Sequence, residues 1–286
     1  MRRLFRSAAT SLAALLFLLT ACSAPAAQSN AVLPCPNYNA GIVSSQLASV
    51  VPMEGVEDLL GATMPHYAPM MKLGVPVLAA AAQSRKIETV VLLAPNHKGE
   101  GPPVELSGSG YFWPDGSVEG DGDAAAFLRK TAVPDAAEDR QILSEEYAAS
   151  LWAPYIAQLF PGAKVVTLLF TRGVQTETLS RLADALLALS EDRELFVLCS
   201  IDFSHYQTPE KTLQNDEVTR EAVQNRDLSF LRRLDGAYLD CPEALSVLLC
   251  MGDVSELDYQ TIVYRDAAGT SGASYFIYGL EKPNRK

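Results

Sequence analysis

The sequence predicts an α/β fold, a single domain with a mostly parallel, mixed central sheet flanked by helices. Three observations carry this. Apolar runs of strand length at 89–94, 164–170 and 194–203 alternate with stretches of helical period. Several of those runs end abruptly in polar or titratable residues, as strands do at the mouth of an open sheet. Beyond an N-terminal leader there remain about 250 residues, enough to bury one good core.

The leader is an export signal. Arg2, Arg3 and Arg6 form a basic start, 13–19 is an apolar stretch too short to span a bilayer comfortably, and L-T-A-C ends at Cys22. This reads as a bacterial lipobox. Residues 1–21 are then removed, and lipidated Cys22 anchors an exported protein to a membrane while the domain stays in water. Residues 22–45 form a flexible tether rich in Ala, Pro, Ser and Asn, and 46–286 the domain.

Within the domain, the first strand falls at 59–64 and ends at Pro65-His66. A helix follows over 70–84, with Gly74 and Pro76 confining its regular part to the second half. The strand at 89–94 leads into the turn Pro95-Asn96-His97. Gly- and Pro-rich 99–122 reads as a hairpin or a flap over the site. Helices are expected over 123–131 and, capped by Ser144 with Glu145 and Glu146 in its first turn, over 144–160. The strand at 164–170 and a helix over 176–189 precede the central strand, L-F-V-L-C-S-I-D-F-S-H-Y from 195 to 206. Helical segments at 212–225 and 228–234 come next. A helix over 242–251 opens on Pro242, a residue suited to a first helical turn. Strands at 257–264 and 273–280 close the chain.

Without its three leader arginines the formal net charge of −11 becomes −14. Such a surface repels phosphate backbones, so nucleic acid is excluded as a partner. Cys35, Cys199, Cys241 and Cys250 show no C-x-x-C and no close-spaced framework. Cys199 and Cys250 fall on apolar segments and read as inert core residues.

The chain has only three histidines, and His66, His97 and His205 each stand just past a hydrophobic run. His66, His97 and Cys241 would supply two imidazoles and a thiolate, a donor set suited to Fe(II), Cu or Zn. Three protein ligands leave an open coordination position, as catalytic sites do. Cys241 precedes a helix, where a thiol's pKa is lowered. Asp202 and His205 then stand around the metal, with His205 placed to donate or accept a proton. A hydrolase built on Ser204 is disfavoured, because adjacent residues of a strand face opposite ways and Ser204 could not use His205.

The order G-A-T-M-P-H-Y, V-V-L-L-A-P-N-H, L-W-A-P-Y, S-I-D-F-S-H-Y and D-C-P-E-A-L resembles the Memo family, whose bacterial members are called AmmeMemoRadiSam system protein B. The resemblance runs from about Leu59 to Leu280, and the D-F-S-H-Y segment is its most specific part. It implies a fold similar to the class III, LigB-like, non-haem iron dioxygenases. It also implies His66, His97 and Cys241 as metal ligands, Asp202 and His205 as pocket residues, and an iron or copper site with a redox role. Other proteins of the same system become candidate partners, and a small molecule or peptide the expected ligand. Two features depart from the family pattern. Glu146-Tyr147-Ala148 stands where the family has Glu-His-Ser, and the export signal takes the chain out of the cytoplasm, where a reduced metal–thiolate centre is harder to maintain. The alternative to a redox enzyme is a non-enzymatic surface lipoprotein that binds metal or a peptide in the same pocket.

Overall fold

The computed structural model describes residues 32–267 and 269–282. The expected export signal, Cys22 and the first part of the expected tether lie outside the described residues. The rest of that tether is folded. β1 (Val32–Pro34) buries Leu33, and α1 (Ala40–Ala48) is capped by the Asn39 side chain, which accepts from the Ile42 N–H. The Gln46 side chain also accepts a hydrogen bond from the Tyr155 hydroxyl at 2.8 Å. One buried leucine and one cap are too little periodicity to mark an element in the sequence, which is why 32–45 reads as linker.

β2 (Leu59–Met64) is buried at every position. A 3-10 turn over Ala68–Leu73 then meets α2 (Val75–Ser84) at Gly74. A Cβ at Gly74 would lie 2.9 Å from the side chains of both Met64 and Trp152, so only glycine fits that joint. β3 (Thr89–Pro95) is again wholly buried. β4 (Val104–Ser107), β5 (Gly110–Trp113) and β6 (Gly116–Gly120) follow, with β5 and β6 forming the expected hairpin. Tyr111 and Trp113 are buried in the core, and the Tyr111 hydroxyl meets Thr167 Oγ1 at 2.9 Å, so this hairpin belongs to the sheet and is not a flap.

After α3 (Gly122–Thr131), the single helix expected over 144–160 is replaced by α4 (Arg140–Glu145), α5 (Tyr147–Ser150) and α6 (Ala153–Leu159). Glu146 breaks the run with extended backbone, φ −80° and ψ 121°. β7 (Lys164–Phe170), α7 (Thr176–Asp192) and β8 (Leu195–Ser200) agree closely with expectation. A short β9 (His205–Gln207) precedes α8 (Pro209–Gln224), α9 (Leu228–Leu231) and α10 (Pro242–Met251). The chain ends in a long hairpin, β10 (Val254–Asp266) and β11 (Gly269–Glu281).

The strand order is β1-β5-β6-β7-β3-β8-β2-β11-β10, with β4 paired to β7 and β9 to β11. β7, β3, β8 and β2 run parallel at the centre. Residues from α3, α7 and α10 cover one face of the sheet, and those of α2 and α4–α6 cover the other. Burial on both faces explains the continuous apolar runs of the central strands. Because β2, β3 and β8 are parallel neighbours, the residues just past their C-terminal ends meet on one edge of the sheet. His66, His97 and Asp202 are those residues.

Candidate metal centre

His66 is 3% exposed, and its ring is held at both nitrogens. The Ser200 hydroxyl gives its one proton to the Ala148 carbonyl at 2.6 Å, so its oxygen accepts from His66 Nδ1 at 3.2 Å. In the neutral ring that arrangement places the proton on Nδ1 and leaves the Nε2 lone pair pointing outward. His97 is set in the same way. Its Nδ1 donates to Glu146 Oε1 at 2.9 Å and its backbone N–H to Glu146 Oε2 at 2.8 Å, again leaving Nε2 free. The two rings stand edge to face with centroids 5.1 Å apart.

The third group at this point is Asp240. Its Oδ2 lies 3.0 Å from His66 Nε2 and 3.8 Å from His97 Nε2. One ligand atom from each of His66, His97 and Asp240 falls within 4.8 Å of the others, so the three could hold a metal ion. Asp240 Oδ1 is buried without a hydrogen-bond partner among the described residues. A carboxylate oxygen in that condition is costly unless a cation shares it. The donor set and the orphaned oxygen both fit a bound metal.

Cys241, expected as the third ligand, is not in this set, and Asp240 stands in its place. Its side chain joins the hydrophobic cluster beneath α7 and α10 and is 1% exposed. Burial, followed by the charges of Glu243 and Asp240, pushes its thiol well above the ordinary value, opposite to the lowering expected at a helix start. Asp240 lies at a bend and Cys241 caps the start of α10, and of these two successive side chains the first faces the site and the second the core. The acid immediately before the cysteine was the available signal for the exchange.

The surroundings are acidic. Burial opposes a charge on His66, but Asp202 and then Asp240 outweigh it and raise its pKa to about 9. Burial likewise works against the Asp240 charge, and the neighbouring His66, His205 and His97 more than offset it, holding the carboxyl below its usual range. Glu146 also stays low, because hydrogen bonding and charge from His97 overcome its burial. Asp202 Oδ1 accepts the His66 backbone N–H at 3.0 Å, and the Asp202 N–H donates to Asp240 Oδ2 at 3.3 Å.

Among the other residues singled out in the sequence, His205 donates from Nδ1 to the Phe203 carbonyl at 2.6 Å, which frees its Nε2. Asn96 holds the His97 turn through the Glu100 carbonyl. Ser204 is fully buried with Asn215 beside its hydroxyl, which removes the hydrolase reading. Glu146, read from sequence as a helix-end charge, is the partner that orients His97. Tyr147 stacks on His97 with centroids 4.9 Å apart and planes 10° from parallel. Removing the Glu146 carboxylate frees the His97 ring to rotate. Glu146→Gln is therefore expected to weaken metal binding about 10- to 100-fold while the protein stays folded, as titration calorimetry alongside thermal melting would show.

A family model described as Memo-like protein matches residues 44–241. A MEMO1 family protein of Pyrobaculum arsenaticum is 31% identical over 168 residues, 57% of this chain and 59% of that protein. One from Caldivirga maquilingensis is 34% identical over 146 residues, 50% of this chain and 51% of that protein. The alignment thus spans little more than half the length of these relatives. Among solved structures, an uncharacterized protein from Escherichia coli K12 covers 78% of this chain and 99% of itself, with 11% identity and a TM-score of 0.49.

Proposed function

This chain belongs to the Memo family, and from that premise we propose that it is an exported, lipid-anchored oxidoreductase whose non-haem metal is held by His66, His97 and Asp240. The observation that carries the reading is the convergence of two imidazole nitrogens and one carboxylate oxygen at the strand ends. Two histidines and a carboxylate with open positions are the donor set of non-haem Fe(II) oxygenases. A carboxylate in place of a thiolate favours Fe(II) over copper, with zinc as the redox-silent occupant. It also suits an exported protein, since a carboxylate has no oxidation ladder to descend. No helix of the described residues is long and apolar enough to cross a membrane, so attachment would rest on Cys22.

When bound, iron would supply a Lewis acid and a one-electron redox couple beside the substrate. The protein's own groups do the rest. Ser200 and Glu146 keep the ligand tautomers fixed, Asp240 contributes charge, and Asp202 holds the His66 backbone. His205, with Nε2 open, accepts a proton from the substrate and returns it to the product.

The full chain loaded with Fe(II) without oxygen should take up one ion. With ascorbate present it should then consume oxygen faster than a His66→Ala variant. Stoichiometric metal without oxygen consumption would favour a non-enzymatic metal-binding lipoprotein, and failure to bind any metal would end the reading.

A further inference from the structure

The edge of the site is lined with tyrosines. Tyr67 directly follows His66, is 47% exposed, and stacks on Tyr275 with planes 11° apart. Tyr147 covers His97 and stands edge-on to His66 at 5.8 Å. Tyr206 directly follows His205, packs edge-on against it at 4.7 Å, and is 73% exposed. Its backbone is left-handed at φ 58°, and its N–H donates to the Tyr264 hydroxyl at 3.3 Å. A large aromatic residue held in that conformation and turned to solvent contributes nothing to the core. Strain of this kind is retained where the side chain's position serves a function.

Apart from the His66 imidazolium of the metal-free protein, the charge around these rings is negative. No lysine or arginine among the described residues lies within salt-bridge reach of Asp202, Glu146 or Asp240. Three carboxylates exceed the charge of one dication, so an anionic ligand would enter a negative site without a base to pair with. After burial, the Asp202 charge also raises the phenol of Tyr275, which sets that ring within its field.

We infer that the tyrosine rim is a binding site for an aromatic group carried by a cationic or uncharged molecule, an aryl amine above all, with Tyr206 as a contacting residue. This deepens the oxidoreductase reading and rests on it for the placement of the chemistry, although the rim itself does not require metal. Ring faces accept another ring edge-on or stacked, and they attract an adjacent ammonium group. Aromatic carboxylates of the same shape are refused by charge.

Titration calorimetry of the full chain, metal-free and zinc-loaded, with 2-phenylethylamine, phenylacetate and 2-cyclohexylethylamine tests this. The expected result is that 2-phenylethylamine binds at least about tenfold more tightly than either control, the order being set by charge and ring. Tyr206→Gly should weaken it about threefold to tenfold with an unchanged or higher melting temperature, since glycine relaxes the backbone. Tyr206→Phe should bind as the natural protein does. Equal binding of phenylacetate or of the aliphatic amine, an unaltered affinity in Tyr206→Gly, or no binding of any probe overturns the inference. Binding of 2-phenylethylamine by a protein that takes up no zinc would instead sustain the rim and remove the metal.

Discussion

Asp240→Ala should purify without stoichiometric metal, while Cys241→Ala should keep it. Asp240 supplies one of three ligand atoms, and changes that merely disturb a ligand's partner already cost 10- to 100-fold in affinity, so loss of the ligand itself should cost at least about 100-fold. Cys241 packs in the core, and trimming its sulfur should cost roughly 1 kcal/mol of stability and no metal. The two substitutions therefore separate metal content, read by elemental analysis, from melting temperature. In the metal-free protein Asp240→Ala also removes a principal partner of His66, so the imidazole should titrate at lower pH. Metal lost from Cys241→Ala and retained in Asp240→Ala would return the thiol to the site and dismantle the carboxylate centre.

That exchange shows where sequence reasoning reached its limit. V-V-L-L-A-P-N-H and L-F-V-L-C-S-I-D-F-S-H-Y are unbroken apolar runs ending in polar residues, and the parallel pairing of β3 with β8 follows from burial on both faces. His66, His97, Asp202 and His205 were legible for that reason, because their chemistry is attached to strand ends. Asp240 and Cys241 stand at the end of an irregular loop. Nothing local decides which of two successive side chains turns inward there. The deciding contacts are distant in sequence, since Arg172 donates to the Leu239 carbonyl at 2.7 Å and Phe203 bridges Leu239. Glu146 was hidden in the same way. Its helical surroundings predict continuous helix, but its carboxylate caps α5 through the Ala148 N–H and reaches His97, 49 residues upstream, and its backbone is extended there.

The pH dependence of metal uptake follows from the state of His66. In the metal-free protein its pKa is near 9, against about 6.5 for an unfolded histidine. A group whose folded value is raised stabilises the fold fully below its unfolded pKa and loses that contribution as pH rises through the folded one. The contribution of His66 to the stability of the metal-free protein should therefore be full below about pH 6.5 and fall by on the order of 3 kcal/mol by pH 9 and above. The lowered carboxyls of Asp240 and Glu146 set the decline on the acid side. Metal must displace the His66 proton, because Nε2 can ligate only when neutral. At pH 7 about one His66 in a hundred is neutral and at pH 9 about half, so affinity should rise about 50-fold over that span. Near pH 7, binding should release about one proton, seen as a dependence of the calorimetric heat on the buffer's ionisation enthalpy. The loaded protein holds His66 neutral throughout and should lack the alkaline decline in melting temperature. An affinity that levels off near pH 6.5, with no proton released at pH 7, would mean that Asp202 and Asp240 do not hold His66 charged and that the site is assembled differently.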